Sequence, residues 1–404
     1  MTGLVTGETV LPLLRAGRWY RSLDTVPVPG GPLLSLAPEI LVRDDGARLR
    51  ARRAATTVPP RDRRLELLRE AVALFRHGRV PVEALGVQDA GDFEEAMRAT
   101  AGLPPALVRR WSAMLGERLE ELAKEAADES GGLTLVSLPA NTFTCLEGVL
   151  EAALSGAAVW IRPSRREPLS SARLVGALLS VGWPPETLGY YPSAPRTLPA
   201  MIRATDRQIV YGGDGLAAEP ALATPSLDLR GPGRACVIVG AREPVDPEDL
   251  ADRIARDAGR FCTSASTVVC LRAAEADALK VAAVLDGISL DPPDPRRPQA
   301  SWAEADAARM AAFVSERLAP GGRVLTRRPL LVRSGGMTFL APTLVHVDDV
   351  GHPLVGCELP FPLAVVVSTD EAGARGVAAG SRFVHPARFA TVPEVPEVPE
   401  GASS

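Results

Sequence analysis

Residues 133–163, "LTLVSLPANTFTCLEGVLEAALSGAAVWIRP", contain the pattern from which the fold class can be predicted. It begins with an apolar run at 133–139, continues with a run of helical spacing at 145–156 and ends with a second apolar run at 157–163. Two apolar strands separated by a helix are typical of a parallel sheet, because a parallel pair needs a long crossover connection. This stretch therefore predicts a β-α-β unit.

The same alternation continues along the chain. A helix is predicted at 169–182, and further apolar strands at 188–193, 208–213 and 234–240. A second α/β unit is predicted at about 245–367. The fold class is therefore α/β, with a Rossmann-like parallel sheet that is covered on both faces and a second α/β domain.

The regions before and after this pattern are different. Residues 1–60 are rich in Pro, Gly and Arg, and we expect edge strands and loops there. Apolar residues at helical spacing predict helices at 63–77 and at about 105–127. Near the end, Val-Pro-Glu occurs three times in succession, which predicts extended or disordered chain.

Composition narrows the class of protein. The chain has 404 residues, of which 46% are hydrophobic, and its formal net charge of −4 gives no reason to expect a nucleic-acid or membrane partner. The five cysteines are scattered and form no CxxC pair, so we expect neither a disulfide framework nor a metal site. No apolar run reaches the roughly 20 residues that cross a bilayer, and the first residues lack a signal-peptide pattern. A reduced, cytoplasmic enzyme is expected.

Cys262 lies in "RFCTSASTVVCL", residues 260–271, between a run of helical spacing and a β-branched run. A thiol reacts as its thiolate, and the N–H groups of a tight connection can stabilise an oxyanion. Residue types alone leave two interpretations open, a catalytic nucleophile or a small buried side chain. For Cys145, Cys236 and Cys270 we expect structural roles.

Segments in the order of the chain resemble those of the aldehyde dehydrogenase superfamily, including its acyl-thioester reductase branches. They are "LVSLPANTFT", "SGAAVWIRPSRREPLS", "VGWPPETLGYYPS", "IVYGGDG", "SLDLRGPG", "RFCTSASTVV", "GGMTFLAPTLV" and "CELPFPLAVV". The spacings from Asp228 to Cys262 and from Cys262 to Glu358 are also similar to those of the family. The resemblance covers about residues 133–367.

The resemblance implies a role for each matching residue. For catalysis it implies Cys262 as the nucleophile, Asn141 as the oxyanion-hole amide and Asp228 in the place of the general base. For the cofactor it implies five positions: Arg162 and Arg165 near the adenosine ribose, Gly212 and Gly213 in the phosphate turn, and Glu358 at the nicotinamide ribose.

The resemblance also gives the parts of the chain their expected functions. Residues 1–130 are strands and helices that pack on the cofactor domain, residues 131–240 the dinucleotide-binding domain and residues 241–368 the catalytic domain. Residues 369–404 are a tail with a disordered end, shorter than the family's usual C-terminal part. Either the oligomer interface is rebuilt from residues 1–60 and "SRFVHPARFATV", or the protein is a shortened, inactive relative.

Two departures from the family pattern bear on the reaction. Arg165 stands where an NAD-preferring enzyme would have Glu, and Arg162 stands where a lysine is usual. Because arginine attracts a 2′-phosphate, we expect NADP(H) rather than NAD(H). Asp228 is one methylene shorter than the usual Glu, which weakens a hydrolytic base.

Three functions stay open from the sequence. The first is reduction of an acyl thioester, carried by coenzyme A or an acyl carrier protein, to an aldehyde through a cysteine thioester. The second is oxidation of an aldehyde to an acid. The third is a catalytically degenerate scaffold or partner protein with the same fold. For the enzyme we expect a homo-oligomer, a dimer, with a small-molecule aldehyde or thioester as substrate.

Overall fold

A computed structural model of the protein describes residues 9–51, 58–125, 131–219, 222, 224–318 and 321–386. Two units divide the chain. Unit 1 consists of Met1–Pro232, Ser289–Met310 and Leu331–Leu340, and unit 2 of Gly233–Ile288, Ala311–Leu330 and Ala341–Ser404. Within the described ranges, no helix has both the length and the apolar character needed to cross a membrane. The Val-Pro-Glu repeat lies outside the described residues.

The described residues form the following elements. The strands are β1 (Val10–Leu11), β2 (Leu13–Arg15), β3 (Arg18–Tyr20), β4 (Thr25–Pro27), β5 (Leu33–Ser35), β6 (Val80–Val82), β7 (Gly86–Gln88), β8 (Leu133–Ser137), β9 (Ala158–Arg162), β10 (Leu188–Tyr190), β11 (Arg207–Tyr211), β12 (Leu227–Arg230), β13 (Cys236–Val239), β14 (Thr267–Cys270), β15 (Ser301–Trp302), β16 (Gly322–Val324), β17 (Leu331–Ser334), β18 (Met337–Leu340), β19 (Thr343–Val347), β20 (Leu363–Ser368) and β21 (Val384–Pro386). The helices are α1 (Glu39–Ala51), α2 (Arg61–His77), α3 (Ala90–Ala101), α4 (Pro105–Lys124), α5 (Glu147–Leu154), α6 (Leu169–Ser180), α7 (Leu198–Ala204), α8 (Asp214–Ala217), α9 (Pro247–Ala255), α10 (Glu275–Asp286), α11 (Glu304–Leu318) and α12 (Glu371–Ala379).

The main sheet of unit 1 has seven strands in the order β12-β11-β8-β9-β10-β2-β3. The strands from β12 to β10 are parallel to their neighbours, and β2 and β3 continue the sheet in antiparallel pairs. The predicted β-α-β unit is present as β8, α5 and β9, with Leu133 paired to Ala158 and Ser137 to Arg162. Every residue of β8 is buried, as a strand covered on both faces requires.

Helix α1 corrects the prediction for residues 1–60, where only strands and loops were expected. The buried side of α1 is formed by residues at helical spacing: Leu41, Val42, Asp45 and Gly46. A Cβ added at Gly46 would lie 2.9 Å from the Cβ of Ala204, so α1 packs closely on α7. Because charged residues fill five of the other nine positions and only two of the buried side chains are apolar, the sequence shows little helical periodicity here.

The main sheet of unit 2 has six strands in the order β16-β19-β20-β14-β13-β21. All neighbours are parallel except β16 and β19. Cys236 of β13 is paired with Thr267 of β14, so the segments that precede these two strands enter the sheet side by side. The predicted fold class, a Rossmann-like parallel sheet with a second α/β unit, is therefore confirmed.

Segments that are distant in sequence complete unit 1. β15, β18 and β17 form a small antiparallel sheet that belongs to this unit. The N–H of Ser301 donates to the carbonyl of Gly102 at 2.9 Å. The sequence pattern had placed these strands in residues 241–368 and β13 in residues 131–240, whereas β13 lies in unit 2. The functions expected for the parts of the chain stay predictions.

Candidate functional site

Cys262 lies in the cysteine segment, residues 260–266, between α9 and β14. Cys262 and the following Thr263 are exposed. The N–H of Ala265 donates to the carbonyl of Arg253 at 2.9 Å, which ties the segment to the end of α9. The thiol therefore does not lie in a core, and the interpretation of Cys262 as a small buried side chain is wrong.

The backbone of Gly233 packs directly on Cys262 within unit 2. A Cβ added at Gly233 would lie 1.9 Å from the carbonyl oxygen of Cys262 and 2.6 Å from its Cβ. Because non-bonded atoms cannot approach so closely, only glycine fits at this position. Glu358 contacts the same backbone: its Oε2 accepts the N–H of Gly233 at 2.7 Å and that of Arg234 at 2.9 Å.

Strand β21 brings His385 to the cysteine segment, which no sequence motif indicated. Burial and the nearby charge of Arg253 lower the pKa of His385, while its hydrogen bond with the backbone of Thr263 acts in the opposite direction. The imidazole is therefore neutral at pH 7. Its Nε2 is buried and has no hydrogen-bond partner among the described residues.

Two other thiols of unit 2 are buried in its core. Cys236 and Cys270 lie in neighbouring parallel strands. Burial raises the pKa of Cys270 to about 11 and also raises that of Cys236. Such thiols stay protonated and unreactive at pH 7, in agreement with the structural roles expected for them.

Arg162 ends β9 at the carboxyl edge of the unit 1 sheet, where ligands of open α/β sheets bind. Its Nε donates to Oγ of Ser193 at 2.9 Å and its Nη1 to Oγ of Ser137 at 3.1 Å. Burial, with a smaller contribution from Arg165, lowers the pKa of Arg162 to about 10. The guanidinium thus stays charged at pH 7 and is held in one orientation.

Arg165 lies three residues further on and is exposed, without an ion pair in the part of the chain that the structure describes. By contrast, Nη2 of Arg166 lies 3.7 Å from Oδ1 of Asp306. Arg165 therefore differs from its neighbour in having its charge available to a ligand.

Gly212 and Gly213 follow β11 at the same carboxyl edge of the sheet. One strand, β8, separates β11 from β9, so the glycine turn lies roughly 10 Å from the end of β9. A Cβ added at Gly213 would meet no atom within 4 Å, so the turn borders open space. The glycine turn and the arginines at the end of β9 therefore lie along the same edge of the sheet, where ligands of open α/β sheets bind.

Asn141 lies in the loop after β8, a central strand of the same sheet. Phe143 fixes the other end of this loop by packing its ring edge-on against Phe75, Phe93 and Trp111. The loop is thus held by the sheet on one side and by an aromatic cluster on the other.

Asp228 lies in β12 and is already engaged by a cation. Its Oδ2 accepts from Nε of Arg230 at 2.8 Å and lies 2.7 Å from Nη2 of the same residue. Nη2 of Arg230 also donates to Oε2 of Glu151 at 2.7 Å. An oxygen that accepts a charge-assisted hydrogen bond and is ion-paired with the same guanidinium is poorly placed to accept a proton from water.

Each unit therefore contains some of the predicted site residues. In unit 1 the carboxyl edge of the sheet carries the residues predicted for the cofactor, at the ends of β9 and β11, and the loop of Asn141 after β8. In unit 2 the cysteine segment and Glu358 contact the same 233–234 backbone. The sequence did not indicate the contacts of Gly233, Arg230 or His385. Those of Gly233 and His385 join segments that are distant in the chain, and arginine is too common in this chain for Arg230 to stand out.

The class of fold follows from the two α/β units. Unit 1 has a sheet edge of the dinucleotide-binding type, and unit 2 has an exposed cysteine between a helix and a parallel strand. The fold is that of the aldehyde dehydrogenases. Similar structures include an NAD-dependent aldehyde dehydrogenase from Sinorhizobium meliloti (18% identity, 95% of this chain and 84% of that chain covered, TM-score 0.75). A NAD-dependent benzaldehyde dehydrogenase from Corynebacterium glutamicum is similar as well, with 16% identity, 93% of this chain and 89% of that chain covered, and a TM-score of 0.73. Lactaldehyde dehydrogenase from Escherichia coli has 16% identity, 94% of this chain and 91% of that chain covered, and a TM-score of 0.73.

The likeness is one of structure. No family model matches the sequence, and no curated protein matches it either. At these identities the comparison shows the fold, and it confirms at that level the resemblance drawn from the sequence motifs.

Proposed function

We propose that the protein is an NADP(H)-dependent oxidoreductase that reduces an acyl thioester to an aldehyde through a thioester on Cys262. The observation that carries the proposal is the exposure of Cys262 on the cysteine segment of a chain with the aldehyde dehydrogenase fold. The acyl group arrives on coenzyme A or on an acyl carrier protein.

The thiolate of Cys262 attacks the acyl carbon, and the carbon–sulfur bond to the carrier breaks, so that the carrier leaves as a thiol. By the family resemblance, the amide of Asn141 would stabilise the oxyanion that forms on the way. When bound, the nicotinamide supplies the hydride that reduces the thioester carbonyl. The resulting thiohemiacetal then releases the aldehyde and restores the thiolate. Acyl thioester, NADPH and a proton become aldehyde, NADP⁺ and free thiol.

The engagement of Asp228 favours a thiol over water as the partner of the acyl-enzyme. Hydrolysis to an acid needs a carboxylate that removes a proton from water. Here the carboxylate is ion-paired with Arg230, which in turn binds Glu151. A thiol carrier needs less help, since it is far more acidic than water and reaches its reactive thiolate form more readily.

Oxidation of an aldehyde is the second candidate. Two of the similar structures are named NAD-dependent dehydrogenases, and a third is named lactaldehyde dehydrogenase. The same cysteine would then form a thiohemiacetal with an aldehyde, and the carbon of this thiohemiacetal would give its hydride to the oxidised cofactor. Water would release the resulting acyl group as an acid, or a thiol would take it as a new thioester, and the thiol of Cys262 would be restored.

The test is a pair of spectrophotometric assays that follow reduced nicotinamide. The first contains NADPH with a panel of acyl-coenzyme A thioesters, and the second contains NAD⁺ or NADP⁺ with a panel of aldehydes, with and without coenzyme A. Consumption of NADPH that depends on the thioester supports the proposal. Aldehyde oxidation without coenzyme A supports the second candidate.

Two variants make these assays specific. Cys262→Ser is expected to abolish turnover, whereas Cys270→Ala, which removes a buried thiol of the same unit, retains it. No turnover in either assay, together with no cofactor binding by calorimetry, would leave the degenerate scaffold as the better description.

A further inference from the structure

Glu358 makes an unusual pair of contacts for a residue expected at a cofactor. A single carboxylate oxygen accepts two successive backbone N–H groups, those of Gly233 and Arg234, at 2.7 and 2.9 Å. Hydrogen bonds from backbone N–H groups to a carboxylate are about twice as strong as those between neutral groups. The carboxylate therefore fixes the position of the 233–234 backbone.

The loop that carries Glu358 is itself fixed to the strand that follows the cysteine segment. The N–H of Gly356 donates to Oγ1 of Thr267, the first residue of β14, at 3.0 Å. On the other side, the N–H of Ser266 donates to the carbonyl of Ala235 at 2.9 Å. The loop, the 233–234 backbone and the cysteine segment are thus joined by hydrogen bonds within one unit.

Gly233 transmits this arrangement to Cys262. Because a Cβ added at Gly233 would lie only 1.9 Å from the carbonyl oxygen of Cys262, the two backbones are in direct contact. When the 233–234 backbone is fixed, the cysteine segment rests on a fixed surface. If the 233–234 backbone is free to move, the cysteine segment no longer packs against a fixed surface.

We propose that Glu358 is a positioning residue for Cys262, and that it acts through the 233–234 backbone. The inference rests on the proposed function only in taking Cys262 as the nucleophile. A nucleophile must be held in a narrow range of orientations to attack its substrate, so a residue that fixes its backbone contributes to the rate without touching the reacting atoms.

This role differs in its consequences from the ribose contact that the resemblance implies. A contact with the ribose would affect the protein only when the cofactor is bound, and its loss would raise the KM for the cofactor. A positioning role acts in the protein without cofactor, and its loss lowers kcat while the KM for the cofactor changes little.

Amide hydrogen exchange of the protein without cofactor, read by mass spectrometry, separates the two roles. Glu358→Ala removes the acceptor of two N–H groups, so we expect exchange at residues 233–234 to accelerate roughly tenfold or more. We also expect faster exchange in the peptide that contains residues 260–266. Glu358→Gln keeps an acceptor oxygen without its charge and is expected to give a smaller change in the same two peptides.

Asp286 supplies a matched control, because its carboxylate also accepts two successive backbone N–H groups, those of Arg327 and Arg328, at 2.9 and 3.1 Å. Asp286→Ala is expected to change exchange at residues 327–328 and to leave the cysteine segment unchanged. If Glu358→Ala accelerates exchange at residues 233–234 but not in the cysteine segment, or in neither, the inference is overturned. Since exchange needs no turnover, this outcome is distinct from a failure of the proposed reaction.

Discussion

Arg165 is the residue on which the expected preference for NADPH over NADH depends. It is exposed at the carboxyl edge of the unit 1 sheet, while the neighbouring Arg166 has Asp306 as a partner. An arginine contact with a phosphate contributes about 1.5–3 kcal/mol, so Arg165→Glu should raise the KM for NADPH by roughly ten- to a hundredfold and leave that for NADH nearly unchanged. Steady-state kinetics with both cofactors measure the effect.

The control for this prediction is Arg166→Gln, which removes a charge one residue away. It should change the two Michaelis constants equally and little. An unaltered ratio of the two constants in Arg165→Glu would show that this arginine is solvated surface.

Arg230 contacts Asp228, the residue predicted to stand in the place of the general base. Its guanidinium binds both Asp228 and Glu151, and although burial alone would lower its pKa, Tyr211 and these carboxylates outweigh burial and raise it. Arg230→Gln removes the charge next to Asp228, and we expect the share of acyl-enzyme released as acid to increase about tenfold or more. Chromatography of acid and aldehyde products measures that share.

The double variant Arg230→Gln/Asp228→Asn is the control, because it lacks both the cation and the carboxylate. It should release no more acid than the unchanged protein. Equal acid from the single and the double variant would show that Asp228 does not activate water even when it is released from Arg230.

Some features of the candidate site can be predicted from the sequence, and others cannot. Motif and order gave predicted roles for Cys262, Asn141, Asp228 and Glu358, because each stands in a segment that resembles one of a known family, and these roles stay predictions. The exposure of Cys262 and its contact with Gly233 could not be read from local pattern, since they depend on the register between β13 and β14, which joins residues far apart in the chain.

Among the helices, α1 is tied to β2 by an ion pair whose carboxylate is buried. The carboxylate of Asp45 accepts from Nε and Nη2 of Arg15 in β2, at 3.0 and 2.6 Å, and from the hydroxyl of Tyr191 at 2.9 Å. The side chain of Asp45 is only 5% exposed. Removing one partner of a buried pair leaves an uncompensated charge.

Asp45→Ala removes charge-assisted hydrogen bonds and is therefore expected to lower the free energy of unfolding by about 1.5–3 kcal/mol, measured by urea denaturation. The adjacent Asp44 provides the control, because it forms an i,i+4 pair with Arg48 at 2.8 Å and is 48% exposed. Asp44→Ala should change the free energy of unfolding by less than about 0.5 kcal/mol. Similar losses in both variants would contradict the buried role of Asp45.

Elements differed in how well sequence predicted them, for a physical reason. The strands of the parallel sheet and the long helices α2 and α4 bury mainly apolar side chains, so their hydrophobic periodicity is plain. Helix α1 places a charged residue and a glycine on its buried side, and periodicity in apolar residues cannot reveal it.

At the scale of the whole molecule, the chain leaves unit 1 after Pro232 and returns to it twice. The pattern along the sequence predicted consecutive domains, because local periodicity identifies strands and helices but not the unit in which a strand packs. The contact of Ser301 with Gly102, which ends α3, is one of those that make the later segments part of unit 1.

A substitution at Gly102 tests how much the packing of residues 301–302 in unit 1 contributes to the stability of the protein. Its φ of +66° favours glycine, and a Cβ added there would lie 2.0 Å from the carbonyl oxygen of Ser301. Gly86 has a similar φ of +82°, but a Cβ added there would meet nothing within 4 Å. Each Gly→Ala substitution is expected to lower the free energy of unfolding by about 1–2 kcal/mol, because alanine is strained at a positive φ. Gly102→Ala also displaces the 301–302 strand, which is expected to cost about 1–3 kcal/mol more. Urea denaturation of the two variants should therefore give a larger loss for Gly102→Ala, and equal losses would mean that the returning segment contributes little to the stability of unit 1.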